Sequence, residues 1–264
     1  MSSPLILVTN DDGIDAEGID ALTRAVQPLG EVWVVAPSQQ QSAVSNAISL
    51  RDPLRVRRRG ERRVAVSGTP TDCVYVAINH LLERRPALCV SGINHGANLA
   101  DDVKYSGTVA AAIEATLNDV PSIAFSLASY EPEFAASLVH VRELAAQVLA
   151  RPMPRATLLN VNFPADVTEE SPRYLTKLGR RNYGRVVVEK RDPRDQPYFW
   201  LGGADLGFDD IPGSDCNAVA RGHISVTPID LDLTHYRFKK EMARWPGFST
   251  PAGGDISGSK SERG

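Results

Sequence analysis

The sequence predicts an α/β sandwich, in which helices pack on a mostly parallel sheet, followed by a β-rich C-terminal extension. Three observations predict this fold class. Short continuous apolar runs recur through the first 160 residues, helical periodicities lie between most of them, and the alternation stops after Pro164. Continuous apolar runs are typical of strands buried on both faces, as in a parallel sheet. Strand–helix alternation then implies right-handed crossovers that place helices on the faces of the sheet.

Five apolar runs are the predicted strands of this sheet. Each is too short for a helix and is rich in β-branched residues, which favours a strand. The five runs are Leu5–Val8, Val32–Val35, Leu88–Val90, Ile123–Phe125 and Leu158–Val161.

Apolar residues at helical spacing fill most of the gaps between these strands. The second predicted helix has the clearest start, because Thr69 can cap it, Pro70 suits its first position and Asp72 stands near the capping-box position. For the first helix, Asp15 is the predicted cap before Ala16. The helical segments are Ile19–Leu29, Val74–Leu82, Val109–Leu117 and Phe134–Val148.

An arginine-rich segment interrupts the alternation before the Thr69 helix. Gly60 and Glu61 suggest a turn between two short strands, Leu54–Arg58 and Arg63–Ser67, which predicts an inserted basic β-hairpin near residues 51–67. Its charges either form a patch for polyanions or protect a solvated edge strand, and the second interpretation is favoured. The arginines are Arg51, Arg55, Arg57, Arg58, Arg59, Arg62 and Arg63.

The sequence pattern divides the whole chain into three parts. A strand–helix core over residues 1–164 is followed by a β-rich extension over residues 165–247, whose short runs are separated by Asp, Pro, Gly and Asn. Residues 248–264 are rich in Gly and Ser and are predicted to be a flexible tail. The predicted strands of the extension are Tyr174–Leu178, Arg185–Glu189, Tyr198–Leu201 and His223–Thr227.

Composition excludes several classes of protein. The 264 residues carry 29 Lys and Arg against 32 Asp and Glu, a net charge of −3, which argues against a nucleic-acid coat and a stable nucleic-acid complex. No stretch approaches the ~20 apolar residues of a membrane-spanning helix, so no membrane partner is expected. Three cysteines without CxxC spacing make neither a disulfide framework nor a zinc cluster. A soluble, reduced, cytoplasmic protein is the expectation.

Polar loops follow three of the predicted strands and should meet at one edge of the sheet, because ligands of open parallel sheets bind beyond the carboxyl ends of the strands. The adjacent carboxylates of Asp11 and Asp12 repel each other unless a cation lies near them. Oxygen donors from Asp, Ser and Asn suit a hard divalent ion such as Mg²⁺, Mn²⁺ or Ca²⁺. The alternative is a plain turn that caps the following helix. The loops are 9–13, 36–42 and 91–98.

A second polar feature is the sequence from Tyr105 to Thr108, which opens an Ala-rich helix. Backbone N–H groups at a helix start, a close-approach glycine and two hydroxyls can bind an anion, although a plain Ser cap explains the same residues. Carboxylates beside an anion site fit a metal that bridges protein and phosphate. His95, in the third loop, is either a general acid or a loop histidine near the site.

These motifs, in order along the chain, resemble the SurE family of stationary-phase survival proteins, which act as 5′/3′-nucleotidases. The resemblance is strong over roughly residues 4–164 and looser over Ile224–Tyr236. The segments that carry it are Asn10–Ile14, Val35–Pro37 leading to Ser42, Gly68–Val74, Ser91–Leu99, Asp101–Val103 and Tyr105–Ala112.

The resemblance implies a Rossmann-like domain that hydrolyses nucleoside 5′- and 3′-monophosphates with one divalent metal ion, Mg²⁺ or Mn²⁺, and in some members short polyphosphate. It also implies a dimer or tetramer to which the extension, residues 165–247, contributes. The implied metal ligands are Asp11, Asp12, Ser42 and Asn94. The implied phosphate-binding residues are Asn46, Asn98, Ser106, Gly107 and Thr108.

The catalytic roles of Asp11 and Asp12 have two interpretations. A water molecule bound to the metal, or positioned by Asp11 or Asp12, attacks phosphorus in line. Alternatively, an aspartate is itself the nucleophile, which is less favoured because both carboxylates are wanted as ligands. A third hypothesis is a binding module that holds nucleotides, polyphosphate or RNA without chemistry. Release of phosphate from nucleoside monophosphates distinguishes the enzyme from the binding module.

Overall fold

The structure, a computed structural model, describes residues 3–130, 133–184, 186–202 and 205–248. The predicted tail lies outside the described residues from position 249 onward, as does Arg185 at the start of one predicted strand. The described chain divides into two compact units, one ending at Leu231 and one beginning at Asp232.

The first unit contains the strands and the first five helices. The strands are β1 (Leu5–Thr9), β2 (Glu31–Pro37), β3 (Val56–Gly60), β4 (Arg63–Val66), β5 (Leu88–His95), β6 (Ser122–Leu127), β7 (Thr157–Phe163), β8 (Arg173–Leu175), β9 (Arg181–Tyr183), β10 (Val186–Arg191), β11 (Pro197–Gly202), β12 (Asp205–Phe208) and β13 (Ile224–Asp230). The helices are α1 (Glu17–Val26), α2 (Pro70–Val76), α3 (Gly107–Leu117), α4 (Ser137–Ala150) and α5 (Asp215–Ala220). Shorter helical turns span Gln27–Leu29, Ala77–Leu81 and Ala100–Lys104.

A nine-stranded sheet organises this unit, in the order β3-β4-β2-β1-β5-β6-β7-β13-β8. The six strands from β4 to β7 are mutually parallel. This arrangement confirms the predicted α/β class and all five predicted strands of the core. The strands alternate their burial between the two faces: Ile6 and Val8 pack with α1 and α4, whereas Leu7 packs with α2 and α3. Both faces of β1 are therefore buried, which explains its continuous apolar sequence.

The region after Pro164 contributes two strands to the main sheet. Strand β13 pairs antiparallel with β7, and β8 pairs parallel with β13. The other strands of this region form two separate two-stranded sheets, β10 with β11 and β9 with β12. Helix α5, which the sequence analysis missed, begins at Ser214, whose side chain accepts a hydrogen bond from the Asn217 N–H.

The start of α2 is as predicted, whereas the start of α1 is not. Thr69 and Asp72 form a reciprocal capping box. The prediction that Asp15 caps α1 is wrong, because the N-cap residue is Ala16, which has no side-chain acceptor. The Ala16 N–H donates to the Gly13 carbonyl over 3.2 Å, so the preceding turn places Ala16, rather than Asp15, at the cap position.

The predicted basic hairpin is present as β3 and β4, with β3 at the edge of the main sheet. Its turn occupies residues 61 and 62, one position later than predicted. Ion pairs hold two of its arginines, because Arg62 lies 3.5 Å from Glu31 and Arg63 lies 2.7 Å from Asp20.

The second unit is described from Asp232 to Phe248 and contains α6 (Tyr236–Met242). His235 caps this helix by accepting the Phe238 N–H, and the rings of Phe238 and Trp245 meet edge-on at 5.8 Å. Among the described helices of the chain, none is both long and apolar enough to cross a membrane.

Candidate functional site

Three loops meet at the carboxyl edge of the sheet, as the sequence predicts. They follow β1, β2 and β5, which lie side by side in parallel with β1 in the centre. Thr9, the last residue of β1, stands opposite Ser91 of β5. The residues after Thr9 therefore emerge beside the loops of both neighbouring strands.

The turn after β1 is held by Asn10. Its side-chain Nδ2 donates to the Gly13 carbonyl at 2.9 Å, and its Oδ1 accepts the Gly13 N–H at 3.2 Å. Gly13 has a φ of +105°, a conformation that favours glycine. Because Asn10 satisfies the backbone of the turn, the carboxylates of Asp11 and Asp12 are not needed for that purpose.

Asp11 is a buried carboxylate at the start of α3, with 5% of its surface exposed. The Thr108 hydroxyl donates to its Oδ1. A Cβ on Gly107 would lie 2.7 Å from the Cβ of Asp11, so only glycine permits this approach. Burial, and to a smaller extent the charge of Asp12, raise the pKa of Asp11 to about 6, against the Thr108 hydrogen bond. The helix start and the carboxylate are thus in direct contact.

Asp12 is only partly buried and points toward the third loop. Burial raises the pKa of Asp12, and the neighbouring His95 opposes that shift. The His95 backbone N–H lies 3.4 Å from Oδ2 of Asp12. The His95 ring packs against Phe134 with 5.3 Å between centroids, and its Nε2 is buried without a hydrogen-bond partner among the described residues.

The loop after β2 carries Ser42 and Asn46, and backbone contacts fix it on both sides of the site. The Gln41 N–H donates to the Asp11 carbonyl at 2.7 Å. The Ser45 hydroxyl donates to the Lys104 carbonyl at 2.8 Å, just before the start of α3. Ser42 and Asn46 are both exposed, and the Ser42 hydroxyl accepts from Gln40. Both residues therefore belong to the part of this loop that lies between its contact with Asp11 and its contact with Lys104.

Asn94 lies near the end of β5, after an irregularity that shifts the register with β6 between Ser91 and Asn94. Its side-chain Nδ2 donates to the Gly96 carbonyl at 2.8 Å. That bond orients the amide and leaves Oδ1 as the acceptor that could ligate a cation.

Asn98 is 7% exposed and is fixed by a group of buried polar side chains on β6 and β7. Its N–H donates to Oδ1 of Asn162 at 2.7 Å, and its Nδ2 donates to the Ser126 hydroxyl at 2.8 Å. The side chains of Asn160 and Asn162 both donate to its carbonyl. Asn98 is therefore held by its backbone as well as its side chain.

The remaining predicted phosphate-binding residues form the first turn of α3. Ser106 is the N-cap and accepts the Val109 N–H at 3.1 Å, so the simple capping interpretation holds for its oxygen. The N–H groups of a first helical turn have no acceptor within the helix. Those N–H groups and the positive end of the α3 dipole make this turn suitable for an anion.

The donor set fits a hard divalent cation. Asp11 and Asp12 supply carboxylates, and Asn94 and Ser42 supply neutral oxygens at the same edge. No group of three or more His, Cys, Asp or Glu side chains among the described residues could hold a metal, which disfavours a zinc-type site. The raised pKa of Asp11 has the sign expected for a buried carboxylate that lacks a positive partner.

Sequence analysis missed the residues that support the site. Asn160 and Asn162 stand two apart in an otherwise apolar strand, and that spacing places them on the same face of β7. Asp215, fully buried, accepts the N–H groups of Ala100, Gly179 and Cys216, each at 2.8 Å. The asparagine pair was a detectable signal, whereas no local pattern marks Asp215.

Comparisons with known proteins match the chain to one family. A family model described as "Survival protein SurE" matches residues 6–185. The chain is 54% identical over 243 residues to a protein named 5′-nucleotidase SurE from Myxococcus xanthus, covering 91% of this chain and 92% of the relative. It is 49% identical over 247 residues to a protein of the same name from Geotalea daltonii, covering 92% and 99%. A crystal structure of SurE protein from Aquifex aeolicus superposes with a TM-score of 0.82 at 38% identity, covering 91% and 98%.

Proposed function

Because the chain belongs to the SurE family, we propose that it is a divalent-metal-dependent phosphomonoesterase that hydrolyses nucleoside 5′- and 3′-monophosphates to nucleoside and phosphate. One observation carries the proposal: the buried Asp11 carboxylate lies against the first turn of α3. The first turn of α3 attracts a phosphate, whereas the adjacent carboxylate repels it unless a cation lies between the carboxylate and the phosphate.

The proposed ligands of the ion are Asp11, Asp12, Ser42 and Asn94. When bound, a divalent ion supplies Lewis-acid polarisation of a phosphate oxygen and neutralises the carboxylates. Its identity is proposed to be Mg²⁺ or Mn²⁺, since both prefer oxygen ligands.

The phosphate is proposed to lie against the first turn of α3, where the N–H groups of Gly107 and Thr108 and the Ser106 hydroxyl hold its oxygens. Asn98 and Asn46 are proposed to contact it from the facing loops. The rigid anchoring of Asn98 by Asn162 and Ser126 would fix the phosphate orientation before reaction.

Asp12 is the better candidate to orient the attacking water. It is less buried than Asp11, whose Oδ1 already accepts the Thr108 hydroxyl. Water adds to phosphorus in line as the bond to the nucleoside oxygen breaks, and Asp12 accepts the proton that the water loses. The departing nucleoside oxygen takes up a proton from solvent, which gives the nucleoside. The packing of the His95 ring on Phe134 favours a positioning role for His95 through its backbone N–H.

The β10–β11 ribbon, residues 186–202, is proposed to mediate self-association into a dimer or tetramer. It forms its own two-stranded sheet, and its large apolar side chains are exposed to solvent. Exposed apolar clusters are typical of protein interfaces. These side chains are Val186, Val187, Val188, Tyr198, Phe199, Trp200 and Leu201.

Two finer properties are also proposed. Short polyphosphate is a further substrate, on the strength of the anion-binding turn. The protein works in the cytoplasm, because Cys73, Cys89 and Cys216 are all unpaired and buried.

The decisive experiment measures phosphate release from 5′-AMP and 3′-AMP with Mg²⁺ or Mn²⁺, before and after chelation by EDTA. We expect chelation to abolish turnover and the metal to restore it. Asp11→Asn should lose nearly all activity with an unchanged circular dichroism spectrum, whereas Asp15→Asn, at an exposed carboxylate of the same loop, should retain it.

Two results would contradict the proposal. A folded Asp11→Asn protein with wild-type activity would remove Asp11 from the site, and turnover that survives chelation would exclude the metal. Tight nucleotide binding without phosphate release under every metal would favour the binding-module hypothesis.

A further inference from the structure

Three arginines of the basic hairpin lack the partners that surface arginines usually have. Arg62 and Arg63 are ion-paired, but none of the guanidinium groups of Arg55, Arg57 and Arg59 has an ion-pair or hydrogen-bond partner among the described residues. Because the chain as a whole has a net charge of −3, this local excess of positive charge is not a consequence of overall composition.

The three arginines share a groove. Arg55 directly precedes β3, and Arg57 and Arg59 lie on it. Together with Ser38, Gln39, Ala65 and Ser67, these arginines line an open groove of about 320 Å³. Hydroxyl and amide groups of the two serines and the glutamine complete the lining, and none of the described residues that line it is aromatic. The groove thus offers charge and hydrogen bonds but no platform for stacking a base.

The groove begins at the edge of the sheet that carries the site. Arg55 donates its N–H to the Ser67 hydroxyl at 2.8 Å, and the Ser38 N–H donates to the carbonyl of Val66, where β4 ends. Gln39, which lines the groove, is two residues from Gln41, whose N–H donates to the backbone carbonyl of Asp11. Two residues span at most about 7 Å, so one end of the groove is within a substrate's length of the carboxylates.

The arginines then lead away from the site. Strand β3 is antiparallel to β4, with Val56 opposite Val66 and Arg58 opposite Val64. Arg55 is therefore nearest the carboxyl edge, Arg57 is next and Arg59 is farthest. The backbone positions of successive arginines stand roughly 7 Å apart along the strand, since each residue advances about 3.4 Å.

We propose that Arg55, Arg57 and Arg59 form a secondary subsite that holds phosphate groups attached to the substrate beyond the one that is hydrolysed. This inference rests on the proposed function, which supplies the site at which the terminal phosphate reacts. The charge of the groove recognises additional phosphates, and its lack of aromatic residues disfavours an oligonucleotide.

The competing explanation is that these arginines protect the edge strand β3 from pairing with another chain. Arg58 distinguishes this explanation from the phosphate subsite. Arg58 lies on the same strand but does not line the groove, and its Nη1 is 3.4 Å from the Glu61 carbonyl. Edge protection and general electrostatic attraction use all four arginines alike, whereas the subsite requires only the three that line the groove.

The test compares Arg55→Ala, Arg57→Ala and Arg59→Ala with the matched control Arg58→Ala in the full-length protein. The substrates are AMP, adenosine 3′,5′-bisphosphate and inorganic tripolyphosphate, which carry zero, one and two phosphates beyond the one removed. We expect Arg55→Ala to raise KM about fivefold for both longer substrates, since a charge-assisted hydrogen bond is lost. Arg57→Ala should raise KM for tripolyphosphate by a similar factor, Arg59→Ala should have the smallest effect, and AMP should be unaffected.

The two phosphate sources give separate results. An effect with the bisphosphate alone assigns the subsite to nucleotides, and an effect with tripolyphosphate alone assigns it to inorganic chains. Equal KM changes in Arg58→Ala and Arg57→Ala, or unchanged KM values in all three groove variants, would overturn the proposal. Displacement of tripolyphosphate by a short single-stranded oligonucleotide that also depends on the three arginines would overturn the assignment to small phosphates.

A binding measurement separates this inference from the proposed function. Calorimetric titration of tripolyphosphate into the protein without divalent metal requires no turnover. Absence of AMP hydrolysis by the wild type would refute the proposed function. Affinity for tripolyphosphate that is undetectable, or that is the same in Arg57→Ala and wild type, would refute the subsite.

Discussion

The carboxyl edge of the sheet buries polar side chains, whereas the β10–β11 ribbon exposes apolar ones. At the edge, Asp11 and Asn98 are at least nine-tenths buried, and their hydrogen bonds reach side chains far away in sequence. On the ribbon, Trp200 is 62% and Leu201 84% exposed. Each arrangement costs free energy in an isolated chain, because a buried charge loses hydration and an exposed apolar side chain orders water. The first arrangement points to a ligand and the second to a protein partner.

The largest contrast between the two regions should come from adding one methyl group to a glycine in each. Gly107→Ala should reduce kcat/KM by about 10²–10³-fold, because the new Cβ would lie 2.7 Å from Asp11 and force the helix start away from it. Gly202→Ala is the matched change on the ribbon, where a Cβ would meet no atom within 4 Å, and it should leave activity unchanged. Phosphate release from AMP measures both. Equal activities of the two variants would contradict the close packing of the helix start on Asp11.

The second prediction concerns the free-energy cost of burying Asp11. Its pKa is raised to about 6 in the folded protein from 3.8, so the folded state binds the proton more tightly than the unfolded chain does. This group therefore favours folding below pH 3.8, and that stabilisation is lost as the pH rises to about 6 and beyond. Without metal at pH 7.5, Asp11→Asn should raise the free energy of unfolding by about 2–3 kcal/mol, since each pKa unit corresponds to 1.36 kcal/mol.

Thermal unfolding at two pH values measures this effect. The advantage of Asp11→Asn should vanish near pH 4, where the wild-type carboxyl is protonated, and Asp15→Asn should show no advantage at either pH. A less stable Asp11→Asn protein at pH 7.5 would mean that the hydrogen bond from Thr108 outweighs the cost of burial. The combination of gained stability and lost activity would mark the edge as a site kept for function.

The smallest expected effect is on the ribbon. Trp200→Ser should weaken self-association by about tenfold or more, because large aromatic side chains contribute most to interfaces. The melting temperature of the isolated subunit should change little, since the side chain is mostly in solvent. Analytical ultracentrifugation measures the dissociation constant, with Lys190→Ala on the same ribbon as the control. An unchanged dissociation constant would exclude the ribbon from the interface.

The same contrast explains what the sequence could predict. The core strands were identifiable because a strand buried on both faces, such as β1, must be apolar at every position. Asp11 and Asp12 were predictable as candidates because they closely follow β1 at the ligand edge. Asn94 was predicted by the same rule, although β5 extends to His95 and therefore contains it. The ribbon gave weaker signals, and Val186–Val188 and Phe199–Leu201 resemble core runs although both are exposed.

Other features depend on distant contacts and leave no local trace. The loop that carries Ser42 and Asn46 is held beside Asp11 and the start of α3 because Gln41 and Ser45 bond to Asp11 and Lys104, and neither bond has a sequence signature. The misplaced cap at Asp15 has the same cause, since the turn from Gly13 decides where α1 begins. Capping propensity identifies the residue types that can cap a helix, but the backbone path of the preceding loop determines which residue occupies the cap position.

The hydrogen bonds that Asp215 accepts from three backbone N–H groups have a consequence for biosynthesis. Ala100, which begins the segment leading to the first turn of α3, finds its acceptor 115 positions later in the chain. Asn98 likewise depends on Asn162, which is 64 positions later. During translation, Asn98 and Ala100 are therefore synthesised well before the acceptors Asn162 and Asp215. A chain truncated before Asp215 would contain every proposed ligand and lack the acceptor that holds Ala100.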